Sequence, residues 1–172
     1  LAVEPFDREL AILMQQAGCA GINFTTDSAD ISMLKTYRQV HTPEAITQAA
    51  ALAKEHTIKV MLDLLIGGPG ETPETVADSI RHLKATKADC IGTSYGIRIH
   101  PGTAMEKIVR AEGDPARNPN IRRHYQGPLD LLQPTYYIAR ELGDNPAALI
   151  REYVAGDERF FAPTDDTVSG KD

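Results

Sequence analysis

Two copies of one start signal, thirty positions apart, constrain this chain more than any other feature. Thr42-Pro43-Glu44 and Thr72-Pro73-Glu74 each join a capping hydroxyl, a proline suited to the first helical position and an early acid. After the first, Ile46, Ala49, Ala50 and Ala53 keep helical spacing; after the second, Val76, Ile80 and Leu83 do. Between them, residues 59–66 are nearly continuous apolar sequence, the pattern of a parallel strand covered on both faces. A shorter strand is expected over residues 20–25 and a third over residues 90–99. A helix with Phe6, Leu10, Leu13, Met14 and Ala17 on one face opens the chain and stops at Gly18. Strand, loop and helix repeating about every 30 residues make the βα unit of a parallel α/β fold. Three such strands fit either a doubly wound sheet or a section of a barrel, and are too few to close one.

From Gly113 the texture changes. Residues 113–120 form a polar, proline-rich loop, and Gly127-Pro128 breaks the chain again. Asp144-Asn145-Pro146 starts a last helix carrying Leu149, Ile150, Tyr153 and Val154, after which Phe160 and Phe161 are expected to fold back as an anchor. Residues 164–172 read as a frayed polar tail. The expected division is therefore 1–112 and 113–172.

Composition narrows the class of function. Eighteen Lys and Arg against 24 Asp and Glu give a net charge of −6, which argues against a general nucleic-acid binder. No run approaches the roughly 18 apolar residues of a membrane span. Two cysteines, Cys19 and Cys90, are too few for a disulfide scaffold or a cysteine-only metal site, so a cytoplasmic protein is expected. His41, His56, His82, His100 and His124 are scattered without metal-ligand spacing, and most are expected at the surface. The chain opens at Leu1 with no secretory leader, in what reads as the middle of a structural unit, and a fragment is expected.

In parallel α/β folds, ligands bind beyond the carboxyl ends of the strands. Side chains alternate along a strand, so parity sorts them. In the third strand Ile91, Thr93, Tyr95, Ile97 and Ile99 share the face suited to packing under helices, which leaves Gly92, Ser94, Gly96, Arg98 and His100 on the other. In the first strand Asn23, Thr25 and Asp27 align opposite Ile22 and Phe24, and the middle strand places Asp63 among apolar residues. Such a polar set needs partners, either a ligand or an internal ion pair between Asp63 and Arg98. Ile66-Gly67-Gly68-Pro69-Gly70-Glu71-Thr72, between strand and helix, forms a tight turn whose backbone can approach a ligand. It is neither a Walker loop nor G-x-G-x-x-G, and no G-x-S-x-G nucleophile elbow occurs.

Residues 64–72 resemble the segment after the fifth strand of radical S-adenosylmethionine (radical SAM) enzymes, whose G-x-I-x-G-x-x-E pattern helps hold the adenosyl group. Ile66, Gly68 and Glu71 match it, with Leu64 replacing the first glycine. Residues 17–30 are similar to the family's fourth strand, with Asp27 and Ser28 at its Glu-Ser positions, which implies contact between Asp27 and the ribose hydroxyls. Thr25 and Ala29 depart from that pattern's glycines. Residues 95–103, ending in Pro101-Gly102-Thr103, resemble the sixth strand and its exit, where backbone atoms meet the adenine. Gln39 stands where relatives often place a basic residue for the cofactor carboxylate. Leu132-Gln133-Pro134 and Arg159-Phe160-Phe161 resemble members with an N-terminal cobalamin-binding domain, although no D-x-H-x-x-G signature is present.

The resemblance implies an α/β fold, a partial (β/α) TIM-like barrel of parallel strands with a C-terminal helical and loop extension. It implies an enzyme that, at full length, cleaves S-adenosylmethionine reductively to a 5′-deoxyadenosyl radical acting on an unknown substrate. Asn23, Thr25, Asp27, Ser28, Ile66, Gly67, Gly68, Glu71, Ser94, Arg98 and His100 are then the expected cofactor-binding residues. The family's [4Fe–4S] cluster needs C-x-x-x-C-x-x-C, which Cys19 and Cys90 do not form, so the cluster is expected on an upstream segment of the same protein. Cobalamin is implied by the subgroup alone. Two other classes share these residues: a non-catalytic barrel remnant that binds a nucleoside or a partner chain, and an ordinary TIM-barrel lyase.

Overall fold

The two Thr-Pro-Glu signals each start a helix. In the computed structural model, which describes residues 1–123 and 125–161, Thr42 caps α3 (Pro43–Glu55) and Thr72 caps α4 (Pro73–Ala85). Both threonine side chains accept from a backbone N–H of the first turn, and Thr72 completes a reciprocal capping box with Thr75. Asp7 caps α1 (Arg8–Gln16) in the same way, and Asp30 caps the short α2 (Ile31–Thr36), which lies in a stretch that carries no long apolar repeat.

The helices cover one face of a parallel sheet made of β1 (Gly21–Asp27), β2 (Lys59–Ile66) and β3 (Cys90–Tyr95). The register sets Thr25 beside Asp63 and Asp63 beside Gly92, one row across all three strands. Phe24, Leu62 and Ile91 project from the sheet into the core with Ile46, Ala50, Ile80 and Leu83 of the helices, all almost wholly excluded from solvent. Such an unbroken apolar contact is the main source of stability in an α/β layer.

The third strand is shorter than its alternation suggests. Gly96 takes φ +94°, a left-handed conformation that ends β3, and the chain swings into β4 (Ile97–Arg98) of a separate antiparallel sheet. That sheet has the order β4–β6–β5, with β5 at Ile121–Arg123 and β6 at Thr135–Tyr137. α5 (Ala104–Ala111) lies between β4 and β5 in sequence, and α6 (Pro146–Val154) follows β6. The anchoring expected of Phe160 and Phe161 is realised as β7 (Phe160–Phe161), which adds to the edge of β3 in parallel, with Ile91 beside Phe160. Arg159, just before it, donates to the carbonyls of Lys84 and Thr86 at the C-terminal end of α4. On the opposite edge Ala2 forms a parallel bridge to Thr25, and Leu1 accepts from the Thr25 N–H.

The expected polar tail at 164–172 and His124 lie outside the described residues. No helix among the described residues is long and apolar enough to cross a membrane.

Candidate nucleoside site at the strand ends

Alternation decides what the open face of the sheet presents. Along β1 Asn23 and Thr25 are exposed while Ile22, Phe24 and Thr26 are buried. Along β2 Met61, Asp63 and Leu65 are half-buried between buried neighbours, and on β3 Ser94 is exposed between Thr93, buried, and Tyr95. Asn23, Thr25, Asp63 and Ser94 therefore share one surface. Asn23 Nδ2 donates to Asp63 Oδ2 at 2.7 Å, and that contact partners the Asp63 carboxylate. A side chain at Gly92 would place its Cβ 3.1 Å from Asp63 Oδ1 and 2.8 Å from Met61 Cε. Glycine there keeps the middle of the face open.

Asp27 ends β1 at a register shift and takes φ 57°. The irregularity turns its carboxylate off the regular pleat, where the Gln39 side-chain amide donates to Oδ2. Burial pushes this carboxyl above its ordinary range; the Gln39 hydrogen bond and His41 oppose that, and Asp63 adds to it. His41 is one of the scattered histidines that is buried, its Nε2 3.1 Å from the Thr26 carbonyl oxygen inside the fold.

The glycine turn after β2 is built around Glu71. Its Oε2 accepts from the Gly67 N–H at 2.5 Å, from the Gly68 N–H at 3.1 Å and is 3.1 Å from the Tyr37 hydroxyl. Tyr37 Oη also accepts from Gly68 N–H at 3.1 Å and lies 3.2 Å from the Leu65 carbonyl oxygen. The outward backbone groups are used as well, since Gly67 O accepts from Ala139 and Gly68 O from the Glu71 N–H. Burial dominates the Glu71 carboxyl and pushes it up to about 7.

These contacts place the other expected site residues. Glu71 is fully buried, and its carboxylate shapes the turn. Ile66 is 1% exposed and belongs to the core. Ser28 is fully buried, its Oγ 2.9 Å from Ser79 Oγ of α4, because the chain has passed the sheet edge and turned under the helices. Gly67 and Gly68 are buried too. A Cβ on Gly67 would lie 3.2 Å from Gly96 N, and one on Gly68 2.5 Å from Tyr37 Cε1 and Oη, so both glycines make room for protein atoms.

Arg98 leaves the common surface because Gly96 breaks the strand before it. Its guanidinium donates to the carbonyls of Leu132 and Gln133 and lies 5.6 Å from the Tyr136 ring centroid, so the Asp63–Arg98 ion pair does not form. Arg98→Ala is expected to cost about 1–2 kcal/mol in stability, the worth of charge-assisted hydrogen bonds at a partly exposed site, without changing affinity for a ligand on the open face. Chemical denaturation beside a binding titration checks both halves. His100 is exposed in the turn before α5, its carbonyl accepting from Thr103 Oγ1 at 2.7 Å. Tyr37, missed by the sequence reading, is tied to the turn; a tyrosine at a helix end carries no signal of such a role.

Parallel strands alternating with helices, with hydroxyl and carboxylate side chains on the open face of the sheet, form a section of a (β/α) barrel. Residues 2–83 match the family model of the radical SAM superfamily. Tryptophan 2-C-methyltransferase of Streptomyces laurentii is 31% identical over 122 residues, covering 66% of this chain and 20% of the relative. An uncharacterized methyltransferase of Pyrococcus horikoshii is 29% identical over 107 residues, covering 60% of this chain and 22% of the relative. The radical S-adenosylmethionine methyltransferase TsrM from Kitasatospora setae, solved with cobalamin and a [4Fe–4S] cluster bound, superposes with a TM-score of 0.83 at 25% identity. That match covers 95% of this chain and 37% of TsrM. Over residues 2–83 the chain is similar to the radical SAM superfamily. It spans about a fifth of the length of the curated relatives it matches.

Proposed function

We propose that this chain supplies the adenosyl-facing half of an S-adenosylmethionine site, residues 1–112 as the C-terminal part of the core barrel and residues 113–172 as an extension that buttresses it. The whole protein would be a radical SAM enzyme, and the methyltransferases among its relatives favour methyl transfer to a small-molecule substrate. The observation that carries this reading is the Asp27 carboxylate, held at the left-handed end of β1 beside the open face of Asn23, Thr25, Asp63 and Ser94.

The donor set suits a nucleoside. Vicinal ribose hydroxyls are hydrogen-bond donors, and Asp27 offers a carboxylate oxygen in a half-buried position where such a bond counts for more than in water. Ser94 and Thr25 add hydroxyls, while Gly92 leaves the middle of the face open. Ile66, Gly67, Gly68, Glu71 and Ser28 serve as the frame that fixes where the strand ends lie, and His100 stands at the rim.

An iron–sulfur cluster does not fit this chain. Cys19 and Cys90 sit before β1 and at the start of β3, at the end of the sheet away from Asp27, and no group of three metal-ligating side chains occurs among the described residues. The cluster and its cysteines would belong to another part of the protein, as would the cobalamin that TsrM binds. Reductive cleavage of S-adenosylmethionine is the chemistry that a cluster supplies there.

Calorimetric titration of the chain with S-adenosylhomocysteine, a redox-inert analogue, tests the reading. Binding is expected, and Asp27→Asn, which keeps the shape and removes the charge, should weaken it at least about ten-fold, as loss of a charge-assisted hydrogen bond does. Absence of binding, or indifference to Asp27→Asn, would favour a barrel remnant that binds a partner chain.

A further inference from the structure

Gln39 occupies the place where the family resemblance puts a group for the cofactor carboxylate, yet its side chain is turned onto Asp27. The segment that carries it grips both strand ends. Tyr37, the C-terminal cap of α2, reaches the turn after β2 through its hydroxyl. Arg38 then takes φ 58°, reversing the chain within one residue, and the Gln39 N–H donates to Leu34 O at 2.8 Å. His41 completes the set on the Thr26 carbonyl, one residue before Asp27. Three side chains at alternate positions thus brace Asp27, its backbone neighbour and the glycine turn.

We propose that Gln39 is a positioning residue for Asp27: its amide holds the carboxylate in the left-handed end of β1 and aims the remaining oxygen at the nucleoside, so residue 39 acts on the ribose side of the ligand through Asp27. This rests on the nucleoside reading above. Asp27 is a left-handed, non-glycine residue, a conformation that persists where the surroundings over-determine it, and the Gln39 amide is its side-chain tether.

The arrangement also sets which protonation state is present. The charged and titratable groups facing Asp27 are His41 from the approach to α3, Asp63 from β2 and Tyr37 from the end of α2, with Gln39 as the neutral donor. Gln39 and His41 favour the carboxylate, and Asp63 and burial oppose it. A carboxylate accepts from ribose hydroxyls more strongly than a neutral carboxyl does, so removing Gln39 should move the pH at which binding is half-developed upward. Gln39 lines an open cavity of about 250 Å³ with Lys35 and Glu44, so alanine or lysine fits there without repacking.

The test is calorimetric titration of the 172-residue chain with S-adenosylhomocysteine from pH 4 to 8, for the wild type, Gln39→Ala, Gln39→Lys and Asp27→Asn. Gln39→Ala should bind about ten-fold more weakly near pH 6 while still unfolding in one cooperative transition, with its pH midpoint raised. Gln39→Lys should restore affinity to within about three-fold and lower the midpoint, since a cation favours the carboxylate. Carbon-13 NMR titration of the Asp27 carboxyl reads the same shifts without ligand. If Asp27→Asn weakens binding while Gln39→Ala leaves affinity, midpoint and carboxyl titration unmoved, the proposal is overturned and the nucleoside reading stands. A wild-type chain that binds no analogue, or an Asp27→Asn variant that binds as well as wild type, overturns both.

Discussion

Gly68→Val is expected to destabilise the protein by about 3 kcal/mol, the sum of an overpacked site and the hydrogen bonds lost with it. The cause is local. A Cβ at residue 68 would meet the Tyr37 ring at 2.5 Å, and the ring cannot swing away without leaving Gly68 N–H, Leu65 O and the Glu71 carboxylate. Urea denaturation of Gly68→Ala in two backgrounds isolates that cause. In the wild type alanine should cost at least about 2 kcal/mol, whereas in Tyr37→Ala, with the ring gone, it should cost less than about 1 kcal/mol. Equal costs in both backgrounds would show that Tyr37 is not why glycine is needed.

Glu71 should make the protein lose stability as pH rises from about 4.5 to 7. Its carboxyl is pushed from the ordinary 4.5 up to about 7 in the fold, chiefly by burial. Oε1 is buried without a hydrogen-bond partner, a setting that penalises the charged form. Between the two values the folded chain holds a proton that the unfolded chain has released. Stability from this group is therefore full below about pH 4.5 and falls until pH passes about 7. At about 1.4 kcal/mol per unit the shift corresponds to roughly 3 kcal/mol. Asp89, Asp157 and Glu106 act in the opposite sense, their carboxyls being lowered by the donors that bind them, but they titrate at the acid end of the range. Glu71→Gln keeps one acceptor oxygen for Gly67, Gly68 and Tyr37 and cannot ionise. Denaturation curves across pH 4.5 to 8 should be steeper in wild type than in this variant, and parallel curves would refute the assignment.

The helices and strands were legible wherever a short-range signal controls them. Thr42 and Thr72 cap because threonine before proline does so almost regardless of context, and the run over residues 59–66 could bury itself only within a covered sheet. Parity then placed Asn23, Thr25, Asp63 and Ser94 on one face correctly. It failed at Arg98 because one glycine in an alternating run was read as part of the strand, when positive φ at Gly96 ends it. The turn at Gly67 and Gly68 was legible as a close approach of backbone, but nothing local reveals that Tyr37, about thirty residues earlier, fills the space beside one of them. Contacts at that sequence distance leave no periodicity. The same holds for Ser28, whose burial depends on Ser79 in a helix that the sequence reading treated separately.

The position of β7 bears on how the chain emerges during synthesis. Ile91 N–H donates to Arg159 O, and Thr93 Oγ1 donates to Phe161 O across 68 residues of sequence. At roughly 5–20 residues per second, the outer edge of β3 waits several seconds for the strand that covers it. The last turn of α4 waits equally long for the Arg159 side chain that meets its carbonyls. For that interval the nascent chain presents an unpaired apolar strand edge to whatever lies nearby, a template for wrong pairing. Sequence upstream of β1 can fold against the sheet long before this edge closes, so the newly made protein is most exposed to misassembly on the β3 side.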